Sequence, residues 1–455
     1  PYEPAKWAAA PVFQTAVFTG EQLFRKRPSG LKGFLEKGGP IEEETVAEEL
    51  ACRLGEPIAS FLRVQIETPT WLKRRPSHIF LFVMESKDAA FAFDPSLRSL
   101  TPRLQEFAET GISVAHFYAA SSATVDAIQS GQAGVGRQAN YPHSRVLARL
   151  KLDTLPGIAK RANYSAHFYA ASYRQFGNKG DSSEALGYDT FVGLPDLHPE
   201  LAGNEWGVHD GPFFDWVLNK VEKATTPQLL TLLNVSYHPP YNVPREELGS
   251  ASHIEKEISD RFFGKTEEER MRYASHVKYA DREIGEAVDS LRDRFQNALF
   301  VFVGDHGGAK LRGEDNNHVP FILWNDRIVD SRVDTTGWFG SHMDLPATLA
   351  SLLLSDGDQI LTLGRPVWLQ DENRVSLAGG NNLNPRGIWD EEGVLQTPFR
   401  DLSASTPAPQ INLRKVSAIH SLSWGFLNDE VSLLSLELAL EGHSKKDSRL
   451  AAQLP

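Results

Sequence analysis

The sequence contains a single cysteine, Cys52, so no intramolecular disulfide bond can form. No apolar run approaches the ~20 residues that a transmembrane helix requires. Basic residues number 47 against 59 acidic ones, and the net charge of -12 argues against a nonspecific nucleic-acid-binding protein and against a broad cationic membrane-binding surface. This charge still allows a local basic pocket for a phosphorylated substrate.

The chain begins at Pro1 rather than methionine and shows no signal-peptide pattern. We interpret it as a processed or truncated chain whose native N-terminus, with any membrane segment, is missing. Its 455 residues, of which 41% are hydrophobic and 23% charged, suffice for one large and one small domain or for two ordinary domains. This composition is typical of globular proteins.

Three short apolar runs, at residues 79–84, 229–235 and 299–303, predict strands buried on both faces, because they lack polar alternation. Polar side chains follow each run: Glu85 the first, His238 the second, and the neighbours Asp305 and His306 the third. Open α/β sheets bind ligands at the carboxyl ends of their parallel strands. We therefore expect these side chains to meet along one edge of a sheet.

Helical patterns alternate with these runs, and the longest covers residues 266–295. This alternation over residues 76–355 predicts an α/β/α three-layer sandwich with a mainly parallel central sheet. Residues 1–75 are predicted to form an arm and a helix that precede this domain, and residues 356–455 a small α+β extension. Within the domain we expect a strand over 112–118 and a helix over 147–160, interrupted by Pro156.

Glu85, Asp305 and His306 offer oxygen donors and one imidazole. This set suits Mn²⁺, Mg²⁺ or Zn²⁺ and does not suit a metal that prefers thiolates. Taken alone, Glu85 is more typical of a solvated strand end or a helix cap than of a metal ligand.

Thr124 begins the helical pattern TVDAIQSG. It is either an N-cap, which threonine favours, or a nucleophile whose hydroxyl is activated by a metal at a helix N-terminus. His238, in YHPPY, is either a core histidine or an imidazole that a rigid loop directs at a substrate. Arg174 and Lys179 are either surface residues or cations for an anionic substrate.

Several segments together resemble the alkaline phosphatase/sulfatase superfamily, and most closely its lipoteichoic acid synthase and phosphoglycerol transferase branch. The similar segments are VMES at 83–86, TVDAIQSGQAG at 124–134, HPPY at 238–241, GDHG at 304–307 and SHMDLPATL at 341–349. The resemblance covers roughly residues 77–355. It implies a sulfatase-like fold for this region.

The resemblance also implies roles for individual residues. Glu85, Thr124, Asp305 and His306 correspond to the metal ligands, Thr124 to the nucleophile, and His238 to the histidine that contacts the substrate phosphate. FGNKG followed by LGYD is similar to the substrate-pocket motif and places Asn178 and Lys179 there.

The pocket motif of the branch usually carries Arg, and often Trp, where this chain has Lys179 and Gly177. The contacts to the headgroup are therefore expected to differ. Enzymes of the sulfatase branch convert a Cys or Ser in C/S-x-P-x-R to formylglycine, whereas Cys52 lies in CRLGE, so that branch is disfavoured. Soluble domains of phosphoethanolamine transferases usually contain several disulfides, which this chain cannot form.

The resemblance implies a metal-dependent transferase for phosphoglycerol or a related headgroup, acting through a phospho-threonine. The expected metal is one divalent ion, Mn²⁺ before Mg²⁺ or Zn²⁺. The donor is expected to be a lipid or glycan phosphodiester such as phosphatidylglycerol, the acceptor a glycan or glycerol, and the location extracytoplasmic, on a membrane-anchored protein. The alternatives are a hydrolase that removes phosphoglycerol from a glycan, a phosphoethanolamine transferase and a non-catalytic phosphoglycan-binding protein.

Overall fold

The computed structural model describes residues 43–136, 147–197, 201–221, 224–369, 371, 373–379, 381–384, 387–389, 395–398 and 412–427. Of the arm and helix predicted over residues 1–75, residues 1–42 lie outside these ranges.

The described strands alternate with helices along most of the chain. The strands are β1 (Arg63–Gln65), β2 (His78–Met84), β3 (Ile112–Ser113), β4 (His116–Tyr118), β5 (Ser165–Tyr173), β6 (Thr190–Leu194), β7 (Gln228–Leu233), β8 (Ala298–Gly304), β9 (Phe321–Trp324), β10 (Phe339–Ser341), β11 (Gln359–Leu361), β12 (Ser376–Ala378), β13 (Asn381–Asn384), β14 (Gly387–Trp389) and β15 (Leu395–Pro398).

The described α-helices range from single turns to a helix of 28 residues. They are α1 (Glu43–Leu54), α2 (Ile58–Leu62), α3 (Ala90–Phe93), α4 (Pro102–Thr110), α5 (Thr124–Ala133), α6 (Leu155–Arg161), α7 (Lys179–Leu186), α8 (Asp210–Val221), α9 (Arg245–Leu248), α10 (Lys256–Ser259), α11 (Glu267–Arg294), α12 (Leu345–Leu353) and α13 (Leu413–Leu427).

A central sheet of seven strands has the order β3-β9-β8-β2-β7-β5-β6. Strands β8, β2, β7, β5 and β6 are parallel to one another, and β9 runs antiparallel to both β8 and β3. The predicted fold class, with a mainly parallel central sheet, is confirmed. The carboxyl ends of β2, β7 and β8 consequently lie side by side.

Helices cover both faces of this sheet, and β2 shows why its sequence has no polar alternation. Ile79, Leu81 and Val83 pack on one side with residues of α6 and α12. Phe80 and Phe82 pack on the other side with residues of α4, α8 and α11. Each such buried side chain contributes about 1.5–3 kcal/mol relative to an exposed one. Both faces of the strand must therefore be apolar.

Two predicted elements are corrected. The helix predicted over 147–160 begins only at Leu155, because Thr154 is the N-cap and its Oγ1 accepts a hydrogen bond from Gly157 N at 3.2 Å. Pro156 lies in the first turn, where its missing N–H costs nothing, and does not interrupt the helix. The predicted strand over 112–118 divides into β3, in the central sheet, and β4, which pairs with β10.

Smaller sheets surround the central one. β12–β15 form an antiparallel four-stranded sheet, and β1 pairs with β11. Leu50 of α1 and Ile419 of α13 belong to one buried cluster, and Arg53 Nη1 donates to Ser417 Oγ at 3.1 Å. The domain boundaries at residues 75 and 355 stay predictions. Among the described helices, none combines the length and the apolar character needed to cross a membrane.

Candidate active site

The loops after β2 and β8 begin next to each other, since Met84 and Gly304 are partners in the parallel register. Each loop begins with a buried carboxylate, Glu85 and Asp305, and His306 follows. One ligand atom from each of these three side chains lies within 4.8 Å of the others. The predicted meeting of these residues at one sheet edge is therefore what the structure shows.

Asp305 is fully buried, at 0% exposure. Its Oδ1 accepts hydrogen bonds from the N–H groups of Ser86 and His306, both at 2.7 Å. Its Oδ2 is buried and has no hydrogen-bond partner among the described residues. Burial, together with the neighbouring Glu85 carboxylate, raises the pKa of Asp305 to about 7. A buried carboxylate oxygen without a partner is what a cation site leaves for its ion.

Glu85 and His306 complete this set of donors. Burial alone would raise the pKa of Glu85, but His238 and His306 hold it below its ordinary value. His306 Nδ1 lies 2.9 Å from the Gly307 carbonyl oxygen, which places a proton on Nδ1 and leaves Nε2 for the centre. Two carboxylates and an imidazole nitrogen fit a divalent cation.

His306 Nε2 lies 3.5 Å from Asp305 Oδ2 and 3.9 Å from Glu85 Oε1. Burial by itself lowers the pKa of His306, yet these two carboxylates outweigh it and raise that pKa above its ordinary value. Protons and a metal ion therefore compete for the same imidazole nitrogen.

Thr124 is the first residue of α5, and Ala123 occupies the N-cap position, with extended φ and ψ of -134° and 128°. No side chain caps this helix. The Thr124 hydroxyl lies 3.4 Å from Glu85 Oε2 and 3.3 Å from His306 Nε2. The interpretation of Thr124 as an N-cap is wrong. The hydroxyl faces the carboxylates at the positive end of the helix dipole.

His238 lies in the loop after β7 and is half-buried, so it is not a core histidine. Its Nδ1 lies 2.7 Å from the Pro239 carbonyl oxygen, which leaves Nε2 for another partner. The indole of Trp206 packs on the imidazole with ring centroids 4.3 Å apart. The imidazole of His238 also helps to hold the pKa of Glu85 below its ordinary value.

Lys179, at 2% exposure, is buried rather than a surface residue. Its Nζ donates to Ser172 Oγ at 2.7 Å and lies 5.2 Å from the centre of the Phe176 ring. Burial lowers its pKa to about 8, although Glu85 and Asp305 act in the opposite direction. Lys179 is therefore a buried amine whose charged form the Glu85 and Asp305 carboxylates stabilise.

Asn178, which precedes Lys179, has a left-handed φ of 56°, and its Nδ2 donates to Ser182 Oγ at 3.4 Å. Arg174 is directed elsewhere, since its guanidinium pairs with three carboxylates at 3.1–3.5 Å: Asp181, Glu184 and Asp196. The substrate-binding roles of Asn178 and Arg174 stay predictions, and the ion pairs of Arg174 lend its role no support.

Residues 77–355 match the family model described as Sulfatase. The chain belongs to the sulfatase family. Lipoteichoic acid synthases 1 and 2 of Bacillus subtilis (strain 168) are 21% and 23% identical to it over 257 and 263 residues, which are 51% and 52% of this chain and 38% of each relative. This sulfatase-family chain thus spans well under half the length of these curated relatives.

Two solved structures share its fold. The lipoteichoic acid synthase LtaP from Listeria monocytogenes has a TM-score of 0.62 at 17% identity, covering 84% of this chain and 98% of that one. An alkaline phosphatase superfamily protein from Vibrio parahaemolyticus has a TM-score of 0.59 at 19% identity, covering 86% and 97%. The predicted resemblance to this superfamily is confirmed.

Three residues near the site of this sulfatase-family protein escaped the sequence analysis. Asn234 and Asp210 hydrogen-bond to each other behind Glu85, and Trp206 packs on His238. Asn234 directly follows β7, so the rule applied to the other strand ends could have found it. Trp206 and Asp210 lie in segments far from the motifs, and the sequence carries no local signal for either.

Proposed function

We propose that the protein is a metal-dependent phosphotransferase that moves phosphoglycerol, or a related phospho-headgroup, from a lipid or glycan phosphodiester to a hydroxyl acceptor. The observation that carries this proposal is the position of Thr124. Its hydroxyl caps no backbone group and instead lies 3.3–3.4 Å from His306 and Glu85 at the start of α5. A nucleophile of this class needs that placement beside a cation site.

Glu85, Asp305 and His306, with the Thr124 hydroxyl, would hold one divalent ion, for which we propose Mn²⁺ before Mg²⁺ or Zn²⁺. This assignment is supported by two atoms: Asp305 Oδ2, which is buried without a hydrogen-bond partner among the described residues, and His306 Nε2, which faces the two carboxylates and the Thr124 hydroxyl. When bound, such an ion supplies positive charge that lowers the pKa of a coordinated hydroxyl and neutralises phosphoryl oxygens.

In the proposed reaction, the Thr124 hydroxyl first loses its proton to solvent, and Oγ1 then attacks phosphorus in line with the leaving alcohol. The new Oγ1–P bond forms as the bond from phosphorus to the leaving oxygen breaks, and His238 Nε2 delivers a proton to that oxygen. An acceptor hydroxyl, or water, then loses its proton to His238 and attacks the phospho-threonine, which frees Thr124. Positioning and charge neutralisation supply most of the acceleration.

Lys179 and His238 would bind the phosphoryl oxygens, with Asn178 at the pocket wall. The similarity to two lipoteichoic acid synthases supports a donor of the phosphatidylglycerol type and a glycan or glycerol acceptor. The same similarity supports an extracytoplasmic location on a membrane-anchored protein. Headgroup contacts are expected to differ where the chain has Lys179 and Gly177.

The test is intact-protein mass spectrometry of the Mn²⁺-loaded protein, quenched shortly after mixing with phosphatidylglycerol or a glycerophosphorylated glucan. An adduct on Thr124 is expected, and its mass identifies the transferred group. Product release without an adduct would favour a hydrolase with a short-lived intermediate. Neither an adduct nor a product with any donor would favour the binding protein and contradict the proposal.

The metal assignment has a separate control. Glu85→Gln should abolish Mn²⁺-dependent turnover, whereas Glu109→Gln should not, because Glu109 is an exposed partner of Arg98 outside the site. Equal loss in both variants would point to a general effect on folding rather than to a metal ligand.

A further inference from the structure

We infer that Asp210 and Asn234 form a positioning pair that fixes the backbone of Glu85 relative to the loop carrying His238. This inference rests on the proposed metal site, because its consequence is a change in the affinity for the metal. Both residues are buried, at 0% and 2% exposure, and neither belongs to a motif of the family described above.

Asn234 bridges two chain segments. Its Oδ1 accepts the backbone N–H of Glu85 at 2.9 Å, and its Nδ2 donates to Asp210 Oδ2 at 2.7 Å. A backbone N–H is only a donor and an ionised carboxylate only an acceptor, so the two partners leave one orientation for the amide. A side chain at position 234 must therefore present an acceptor to Glu85 and a donor to Asp210.

Asp210 extends the connection to the loop after β7. Its Oδ1 accepts the N–H groups of Val235 at 3.0 Å and Ser236 at 2.9 Å, and its own N–H donates to Ser236 Oγ at 2.8 Å. It is also the first residue of α8, where the helix dipole favours a negative charge. One buried carboxylate thus fixes the beginning of the loop that carries His238.

This arrangement joins the two halves of the proposed site. Glu85 would bind the metal and His238 the phosphoryl group, and both depend on the same pair of buried side chains for their backbone position. Leaving one of these buried groups without a hydrogen-bond partner destabilises this arrangement. Partners behind metal ligands typically change metal affinity by about 10- to 100-fold when they are altered.

An exchange of the two side chains tests this complementarity. Asn234→Asp alone places two carboxylates against each other. Asp210→Asn alone places an amide N–H₂ against the N–H₂ of Asn234, so two donors face each other. In the double variant, the carboxylate at position 234 accepts from Glu85 N–H and from the amide at position 210. The amide oxygen at position 210 then accepts the two loop N–H groups. Each of these hydrogen bonds is therefore regained, and the negative charge moves from position 210 to position 234.

The measurement is isothermal titration calorimetry with MnCl₂ on metal-stripped wild type, both single variants and the double variant, with thermal unfolding of each metal-free protein. We expect each single variant to bind Mn²⁺ about 10- to 100-fold more weakly and the double variant to recover to within about threefold of wild type. Asn242→Asp, at an exposed position of the same loop, adds the same charge and should leave the affinity within about twofold.

Wild-type affinity in the folded single variants would overturn the inference, as would a folded double variant that fails to recover. If the single variants do not fold, Asn234→Ala removes the bridge without adding a mismatched group. Unchanged Mn²⁺ affinity in Asn234→Ala would also overturn the inference. Wild type that binds no Mn²⁺, Mg²⁺ or Zn²⁺ would instead overturn the proposed metal site and the inference with it.

Discussion

Replacing Thr124 separates its proposed chemical role from a structural one. If this residue capped α5, Thr124→Ala would cost about 1 kcal/mol of stability. Ala123 occupies the cap position, and the Thr124 hydroxyl makes only long contacts of 3.3 and 3.4 Å. Alanine also has a higher helix propensity than threonine, by up to about 0.7 kcal/mol. The change in the free energy of unfolding should therefore stay within about 0.5 kcal/mol.

The expected effect on activity is far larger. Loss of the nucleophile removes the covalent route, and we expect turnover to fall at least about 10⁴-fold, which corresponds to about 5.5 kcal/mol in the activation free energy. Thr124→Val keeps the shape and β-branching of the side chain without the hydroxyl and should be as inactive as Thr124→Ala. Thr124→Ser keeps the hydroxyl and should retain measurable turnover.

The assays are hydrolysis of a chromogenic phosphodiester, intact-protein mass spectrometry and urea unfolding of all three variants. Turnover of Thr124→Val within about tenfold of wild type would refute the assignment of the nucleophile. A loss above about 1 kcal/mol in Thr124→Ala, restored in Thr124→Ser, would refute the structural argument by showing that the hydroxyl acts as a cap.

Three further predictions concern the pocket wall, acid stability and the end of α5. Trp206→Ala should lower kcat/KM for the donor about tenfold, because about 1.4 kcal/mol of the ring packing that holds His238 in place is lost. Burial lowers the pKa of His276 to about 4. The unfolded chain therefore binds a proton first as pH falls from 6.5 to 4, so stability should fall in this window by up to about 3 kcal/mol, and His276→Gln should reduce that loss in urea unfolding. Gly134→Ala should cost about 2–4 kcal/mol in the same assay, since φ is 67° and a Cβ would lie 2.6 Å from Thr362 Oγ1, whereas Gly357→Ala, with φ of 87° and open space, should cost about 1 kcal/mol.

Each of these predictions has an opposite outcome. An unchanged kcat/KM in Trp206→Ala would show that Trp206 does not position His238. An identical acid profile in His276→Gln and wild type would assign the pH dependence to other groups. Equal losses at Gly134 and Gly357 would mean that the backbone conformation alone, without the contact to Thr362, sets the cost.

The sequence by itself determined the central sheet and the core of the candidate metal site. Apolar runs without alternation can be satisfied only between two layers, which identifies β2, β7 and β8 as buried parallel strands. Since such strands share one carboxyl edge, Glu85, Asp305 and His306 were expected along it, and the pairing of β2 with β8 brings them together. These conclusions depend on local patterns and on a general rule of topology.

Only the tertiary structure decided what the remaining side chains contact. Composition alone favoured a cap at Thr124, and only the family resemblance favoured a nucleophile, because the choice depends on one residue of register at the start of α5. The burial of Lys179, the ion pairs of Arg174 and the bridge between Asp210 and Asn234 join segments distant in sequence. No periodicity encodes such contacts, since they arise when loops from different strands pack together at the sheet edge.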